Sequence, residues 1–134
     1  MKLKLLGLAA LAGLTMSAGA YAHHSFAGTY LMDAPKVHIE GKLVQFLLRN
    51  PHSFVQVEAP DPNSGETVRW SIEWGAAGQL TSSGVSQSSL KVGDHVIVTG
   101  NPSRRPEDHR LRMVSIERPA SGSAPEFKWG ASFN

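Results

Sequence analysis

The segment from Val37 to Leu48 most constrains the fold, because it is long, rich in apolar residues and changes its apolar phase part of the way along. Alternate residues from Val37 to Leu43 form one apolar face, whereas alternate residues from Val44 onward form the opposite face. Since the side chains of a strand alternate between two faces, this pattern predicts a β-strand that bends. We place the bend at Gly41, because a residue without a side chain lets a strand curl through a barrel corner.

Further segments with alternating apolar residues predict four more strands, at Ser53–Glu58, Glu66–Trp74, His95–Gly100 and Arg110–Arg118. One or two helical turns are predicted after the third strand, closed by Gly84. The predicted order is three strands, a short helix and two strands, and the first strand is long and bent. The five-stranded Greek-key barrel called the OB-fold has this order. An immunoglobulin-like sandwich is the rival, but it needs about seven strands. We therefore expect an all-β, OB-like barrel with one short helix.

The first 22 residues have the three-part layout of a secretory signal peptide. Lys2 and Lys4 come first, an apolar run over residues 5–14 follows, and small residues precede Ala22. The run is too short to span a bilayer. Cleavage after Ala22 fits the rule for the cleavage site, and cleavage after Ala20 fits it as well. The sequence predicts an exported, periplasmic protein without a transmembrane segment in its mature chain.

We divide the chain into a signal peptide (1–22), a barrel domain with an N-terminal arm (23–118) and a tail that is either flexible or docked (119–134). The chain has no cysteine, so its mature part is held together without disulfides. Lys2 and Lys4 belong to the leader, which leaves 11 basic and 11 acidic residues from residue 23 onward. This balance argues against a nucleic-acid partner, because nucleic-acid-binding domains have strongly basic surfaces.

Histidines near the predicted mature start suggest a metal site. Cleavage after Ala22 leaves His23 and His24 beside a free α-amine, which together form a bidentate chelator. Cleavage after Ala20 leaves an amine, two backbone amides and the His23 imidazole, which can hold Cu(II) or Ni(II) in a square plane. His52 would join them if the arm crosses the barrel mouth. We predict a metal site of His23, His24 and His52, with copper as the first candidate, because tetragonal nitrogen ligation suits Cu(II).

These residues also have plainer interpretations. Histidines near a terminus are commonly solvated, and a histidine in a turn such as His52 commonly bonds to the backbone. Trp70 and Trp74 are expected to fill the core. Glu73 falls on the opposite face of the third strand, where we expect it to be solvated or paired with Arg69. The other three histidines are expected to be structural or exposed: His38, His95 and His109.

The sequence offers candidate ligands but no catalytic motif. It contains no Gly-x-Ser-x-Gly, no His-Glu-x-x-His and no phosphate-binding glycine loop. We therefore predict no catalytic residue and expect a binding protein rather than an enzyme. The main alternative to metal binding is a metal-free periplasmic accessory module that binds a small ligand or an unidentified protein partner.

Several short motifs stand out together: His23-His24-Ser25-Phe26, Asn50-Pro51-His52, the Trp70–Trp74 segment, Gly93-Asp94 and Gly100-Asn101-Pro102. In this combination the chain resembles a family of small exported bacterial proteins catalogued only as a domain of unknown function. The Tyr-Asp pair of that family is interrupted here, since two residues separate Tyr30 from Asp33. Leu48 and Arg49 replace the aromatic residue that often precedes Asn-Pro-His. The resemblance implies an exported single domain and assigns no activity.

Overall fold

The computed structural model describes residues 26–130. The predicted signal peptide, its predicted cleavage site, His23 and His24 lie outside this range, as do residues 131–134. The strands and the helix of the described part are β1 (Val37–Leu47), β2 (Phe54–Pro60), β3 (Thr67–Glu73), α1 (Ala77–Ser82), β4 (His95–Pro102), β5 (Arg110–Arg118) and β6 (Phe127–Gly130). A single 3-10 turn, Pro106–Asp108, lies between β4 and β5.

The strands form one sheet in the order β3-β2-β1-β4-β5-β6, and parallel pairing of β3 with β5 closes five of them into a barrel. All other neighbours are antiparallel. The short helix α1 lies between β3 and β4 in the chain. An all-β barrel of five strands with one short helix, which the sequence predicted, is thus confirmed. The sixth strand was not predicted, and it pairs with the C-terminal half of β5.

Apolar side chains from all five barrel strands fill the interior. The fully buried members include Leu43, Val55, Val57, Ile72, Val96, Val98, Leu111 and Ile116. Trp70 and Trp74 are buried as well. Alternation along each strand directs these residues inward and leaves the intervening residues on the outer surface of the barrel.

The change of apolar phase in β1 comes from a β-bulge and not from Gly41. The register of β1 against β2 shifts between Leu43 and Gln45, so Leu43 and Phe46 both point into the core. Gly41 has a different role. A Cβ atom at this position would collide with the backbone carbonyl of Glu58, so glycine permits the close approach of β2. The predicted position of the bend was therefore wrong by a few residues.

The N-terminal arm, which we define as residues 26–34, is fixed to the outside of the barrel. It begins with a helical turn over residues 26–29, and Tyr30 then forms an isolated antiparallel bridge with Ser103. The Leu31 N–H donates to the Pro102 carbonyl oxygen at 2.9 Å, and the Asn101 side-chain amide donates to the carbonyl of Met32 at 3.0 Å. These bonds hold the arm against the end of β4.

Candidate functional site

His52 lies in the loop between β1 and β2, and local hydrogen bonds fix that loop. The Arg49 N–H donates to the Ser53 hydroxyl oxygen at 3.1 Å, and the Ala77 N–H donates to the Arg49 carbonyl at 3.1 Å. The Ser53 N–H donates to the Gly75 carbonyl at 2.9 Å, which continues the pairing of β2 with β3. The backbone that carries His52 is therefore held on both sides.

Glu73, the last residue of β3, is the direct partner of His52. Phe54 is opposite Glu73 in the antiparallel ladder, and His52 precedes Phe54 by two residues on the same face. The Nδ1 atom of His52 is hydrogen-bonded to Oε1 of Glu73. The Tyr30 hydroxyl donates to the other carboxylate oxygen, Oε2, at 2.6 Å. Because the arm covers this outer face of β3, Glu73 is 7% exposed and Tyr30 is fully buried.

This arrangement fixes the imidazole of His52 in orientation and tautomer. An ionised carboxylate only accepts hydrogen bonds, so we assign the proton of the His52–Glu73 bond to Nδ1. In this tautomer the lone pair of the ring is on Nε2, the atom that is not bonded to Glu73. The side chain of His52 is 35% exposed. A carboxylate behind the imidazole in this manner is the usual outer partner of a metal-binding histidine.

Tyr30 and Arg110 complete the surroundings of Glu73. The Nη2 atom of Arg110 is 3.6 Å from Oε2 of Glu73 and 3.4 Å from the Tyr30 hydroxyl oxygen. Burial raises the pKa of Tyr30 far above its ordinary value, as do its hydrogen bond to Glu73 and the charge of that carboxylate, while Arg110 offsets part of the effect. Tyr30 therefore remains a proton donor to Glu73 at neutral pH.

Phe26 places the start of the arm directly on His52. The two rings are stacked, with their centroids 5.1 Å apart and an interplanar angle of 30°. Phe26 also contacts Arg112, whose guanidinium carbon is 3.8 Å from the centroid of the phenyl ring. The side chain of the first described residue thus lies on the face of the His52 imidazole.

The structure describes one of the three predicted metal ligands, His52, since His23 and His24 precede residue 26. Within residues 26–130, no three His, Cys, Asp or Glu side chains are grouped so that they could hold a metal ion. The expectation for Glu73 was wrong, because Glu73 is buried against Tyr30 and His52 while Arg69 pairs with Glu58 at 3.0 Å.

Sequence reasoning missed the contributions of Glu73 and Tyr30. One signal was available, because His52 and Phe54 share a face, and the residue opposite Phe54 in a β2–β3 hairpin is a carboxylate. The position of Tyr30 had no such signal, since it depends on how the arm folds back over the sheet.

Each of the other three histidines contacts one polar side chain, and these contacts do not form a set of metal ligands. His95 Nε2 is 2.6 Å from a carboxylate oxygen of Glu40 on the exposed surface, and His38 Nδ1 is 2.9 Å from the Thr99 hydroxyl oxygen. His109 Nε2 is 3.0 Å from Asp61. The pKa of Asp61 is lowered, first by the backbone N–H of Asn63 and then by the hydrogen bond from His109.

The fold and the site define a small OB-like barrel protein in which an N-terminal arm covers a His–Glu–Tyr network on the outside of the sheet. The chain belongs to the family of unknown function DUF6152, whose family model matches residues 11–112. The resemblance to an uncharacterised family is thereby confirmed. No curated protein and no solved structure matches the chain. Within the part that the structure describes, no helix is long and apolar enough to cross a membrane.

Proposed function

We propose that this chain is an exported, periplasmic metal-binding protein, with copper as the preferred ion. The ion would bind the processed N-terminus, through His23 and His24, together with Nε2 of His52. One observation carries the proposal: Phe26 is stacked on a histidine whose Nδ1 is already bonded to a buried carboxylate. The stacking supports the proposal because Phe26 follows His24 by only two residues, and the bond to Glu73 supports it because it leaves Nε2 of His52 available as a ligand.

The length of the chain makes this ligand set feasible. An extended chain spans at most about 3.6 Å per residue, so the Cα atom of His24 is within about 7 Å of that of Phe26. His23 is one residue further. Because the Phe26 ring already contacts the His52 ring, neither histidine has to cross the barrel to approach Nε2 of His52.

The chemistry of the donors favours a soft or borderline transition metal. Neutral imidazoles and a terminal amine supply nitrogen ligands, which suit Cu(II) in tetragonal geometry. Arg110 and Arg112 lie close to the site, and their positive charges repel cations. Ca²⁺ and Mg²⁺ depend on several oxygen ligands that are anionic or carbonyl in type. We therefore expect affinity to come from nitrogen coordination, with Ca²⁺ and Mg²⁺ excluded.

Glu73 would act as the outer partner of the ligand His52. Its carboxylate holds the Nδ1–H tautomer and increases the basicity of Nε2, and such outer partners are worth roughly 10- to 100-fold in metal affinity. Tyr30 would contribute through Glu73, because its hydroxyl fixes the second carboxylate oxygen. Neither residue would contact the metal.

A Cu(II) titration followed by electron paramagnetic resonance tests the proposal. The sample is protein exported and cleaved by the cell, with its N-terminal mass measured, because an added tag would alter the terminal amine. We expect one equivalent of tetragonal nitrogen-ligated Cu(II), lost or changed in spectrum by His52→Ala and unchanged by the matched variant His95→Ala. Weak Cu(II) binding that is unchanged by His52→Ala would contradict a folded metal site. It would favour the alternative function, a metal-free binding module.

A further inference from the structure

The barrel wall has a gap beside the proposed metal site. β3 pairs with β5 as far as Arg112, and the next strand on that edge, β6, begins to pair with β5 at Ser115. Between these two pairings, Met113 of β5 lines a cavity of about 240 Å³. Its lining includes Trp74, Leu80, Ser83, Arg112, Met113 and Trp129.

The walls of this gap are aromatic and held in place. The rings of Trp74 and Trp129 meet edge to face, with centroids 5.0 Å apart. The Trp129 indole N–H donates to the Ser83 hydroxyl oxygen at 3.0 Å, which fixes the outer ring to the segment after α1. A cavity of about 150 Å³ with apolar walls is known to admit a benzene ring. The gap is therefore large enough for one six-membered ring.

Arg112 brings a cation to the same gap. Its guanidinium group rests on the Phe26 ring and forms no hydrogen bond or ion pair to any residue between 26 and 130. A guanidinium presents five N–H donors in a rigid fork that matches the two oxygens of a carboxylate. Because its plane is already supported by an aromatic ring, little side-chain freedom remains to be lost when an anion binds.

From this combination we propose that the gap between β3 and β6 binds a small organic acid with a flat apolar body. The carboxylate pairs with the guanidinium of Arg112, and the apolar body lies against Trp74 and Trp129. This site is separate from metal ligation and does not depend on it. An apolar cavity with one oriented charged group is the usual form of a small-ligand site.

The test uses exported protein in the presence of a chelator, with benzoate as the probe, benzamide as its neutral isostere and acetate as the isolated head group. The chain has three tryptophans, whose indole N–H signals are counted by ¹H–¹⁵N NMR. Trp74 and Trp129 line the gap, whereas Trp70 lines a different cavity beside Asp61 and serves as an internal reference. We expect benzoate to shift the first two signals in a saturable way and to leave Trp70 in place.

Arg112→Gln should weaken benzoate binding by about tenfold or more, since a charge-assisted, bidentate pair is lost, and should leave benzamide binding unchanged. Arg49→Gln is the matched control. Its guanidinium also rests on an aromatic ring, 5.3 Å from the centroid of Phe54, but Arg49 does not line the gap. That control should bind benzoate like the wild type.

Several results would overturn the proposal. These are equal affinity for benzoate and benzamide, an equal loss in Arg49→Gln, a Trp70 shift as large as the Trp129 shift, or no saturable binding. The comparison of benzoate with benzamide needs only the wild-type protein, so it tests the proposal even if Arg112→Gln does not fold. Binding that emerges only after residues 131–134 are removed would assign the gap to the tail of this chain, which carries Phe133, and would also overturn the proposal.

Discussion

His52–Glu73 and His95–Glu40 are both histidine–carboxylate pairs, yet they differ in how far they are exposed and in what covers them. The side chains of His95 and Glu40 are 60% and 61% exposed, and the pair lies on the outer surface of β1 and β4. His52 is 35% exposed over a Glu73 side chain that is 9% exposed, under a ring from the arm. An exposed pair is weak and mobile because water competes for both partners, whereas a covered pair fixes the direction of its free nitrogen.

The largest difference in stability between the two pairs should follow the removal of their carboxylates, Glu73 and Glu40. Glu73→Ala leaves the Tyr30 hydroxyl buried without its acceptor and Arg110 without its counter-charge, so we expect a loss of about 2–4 kcal/mol in the free energy of unfolding. Glu40→Ala removes only a solvated partner and should cost less than about 1 kcal/mol. Urea unfolding of both variants at pH 7 measures the difference. Equal losses would show that the arm does not protect Glu73.

A smaller effect is expected for the hydroxyl of Tyr30. Tyr30→Phe keeps the buried ring but removes the 2.6 Å hydrogen bond to Glu73, which is worth about 1.5–3 kcal/mol for a charged acceptor. The same urea experiment measures it at pH 7. The experiment also tests whether the arm is docked. If Tyr30→Phe were as stable as the wild type, the hydrogen bond from Tyr30 to Glu73 would be formed only a small part of the time.

Alkaline pH should reduce the stabilising effect of Tyr30. Its pKa is raised in the folded state, so above pH 10 the unfolded chain ionises first and the free energy of unfolding falls as pH rises. One such group contributes a slope of up to about 1.4 kcal/mol per pH unit. Tyr30→Phe should lack this slope. Tyr30 is the sole tyrosine after residue 22, so the tyrosinate absorbance of a chain that starts at His23 reports its ionisation directly. A midpoint near the ordinary tyrosine pKa of 10.0 would contradict its burial.

The smallest effect is expected at the third histidine–carboxylate pair, His109–Asp61. The pKa of Asp61 is lowered in the folded state, so its contribution to stability is present above the ordinary aspartate pKa of 3.8 and is lost as pH falls below that value. Asp61→Asn should therefore flatten the acid end of the stability curve and leave the alkaline end unchanged. The Trp70 ring, 5.3 Å from the His109 ring, provides a fluorescence signal for this pair. A changed alkaline end would indicate coupling between the two regions.

The barrel could be predicted from the sequence because its strands are local patterns. Alternating apolar residues define β2 to β5, and the phase change of β1 implies a bend even though the bulge is after Leu43 and not at Gly41. The sixth strand could not be predicted, because Phe127–Gly130 is short, follows a segment rich in serine, alanine and proline, and gains its order by pairing with β5.

The site was less accessible to sequence reasoning, for a physical reason. His52 was identifiable as a candidate ligand from its residue type, but its partners come from distant segments. Glu73 is 21 residues away, and Tyr30 is 43 residues from Glu73. A carboxylate on the outer face of a strand is normally solvated, so the burial of Glu73 depends on the arm, whose docking is set by backbone bonds to β4. Only the fold brings these groups together.

The most direct test of the central claim is an NMR titration, with a small fraction of one equivalent of Cu(II), of protein prepared as for the electron paramagnetic resonance experiment. Paramagnetic broadening identifies which histidines are near the ion, and it compares His52, His95 and His109 in one sample. We predict early loss of the His52 ring signals together with those of Phe26, while His95 and His109 stay sharp. Broadening that spares His52, or that affects His52 and His95 equally, would contradict a metal site formed by the N-terminus and the Glu73-bound histidine.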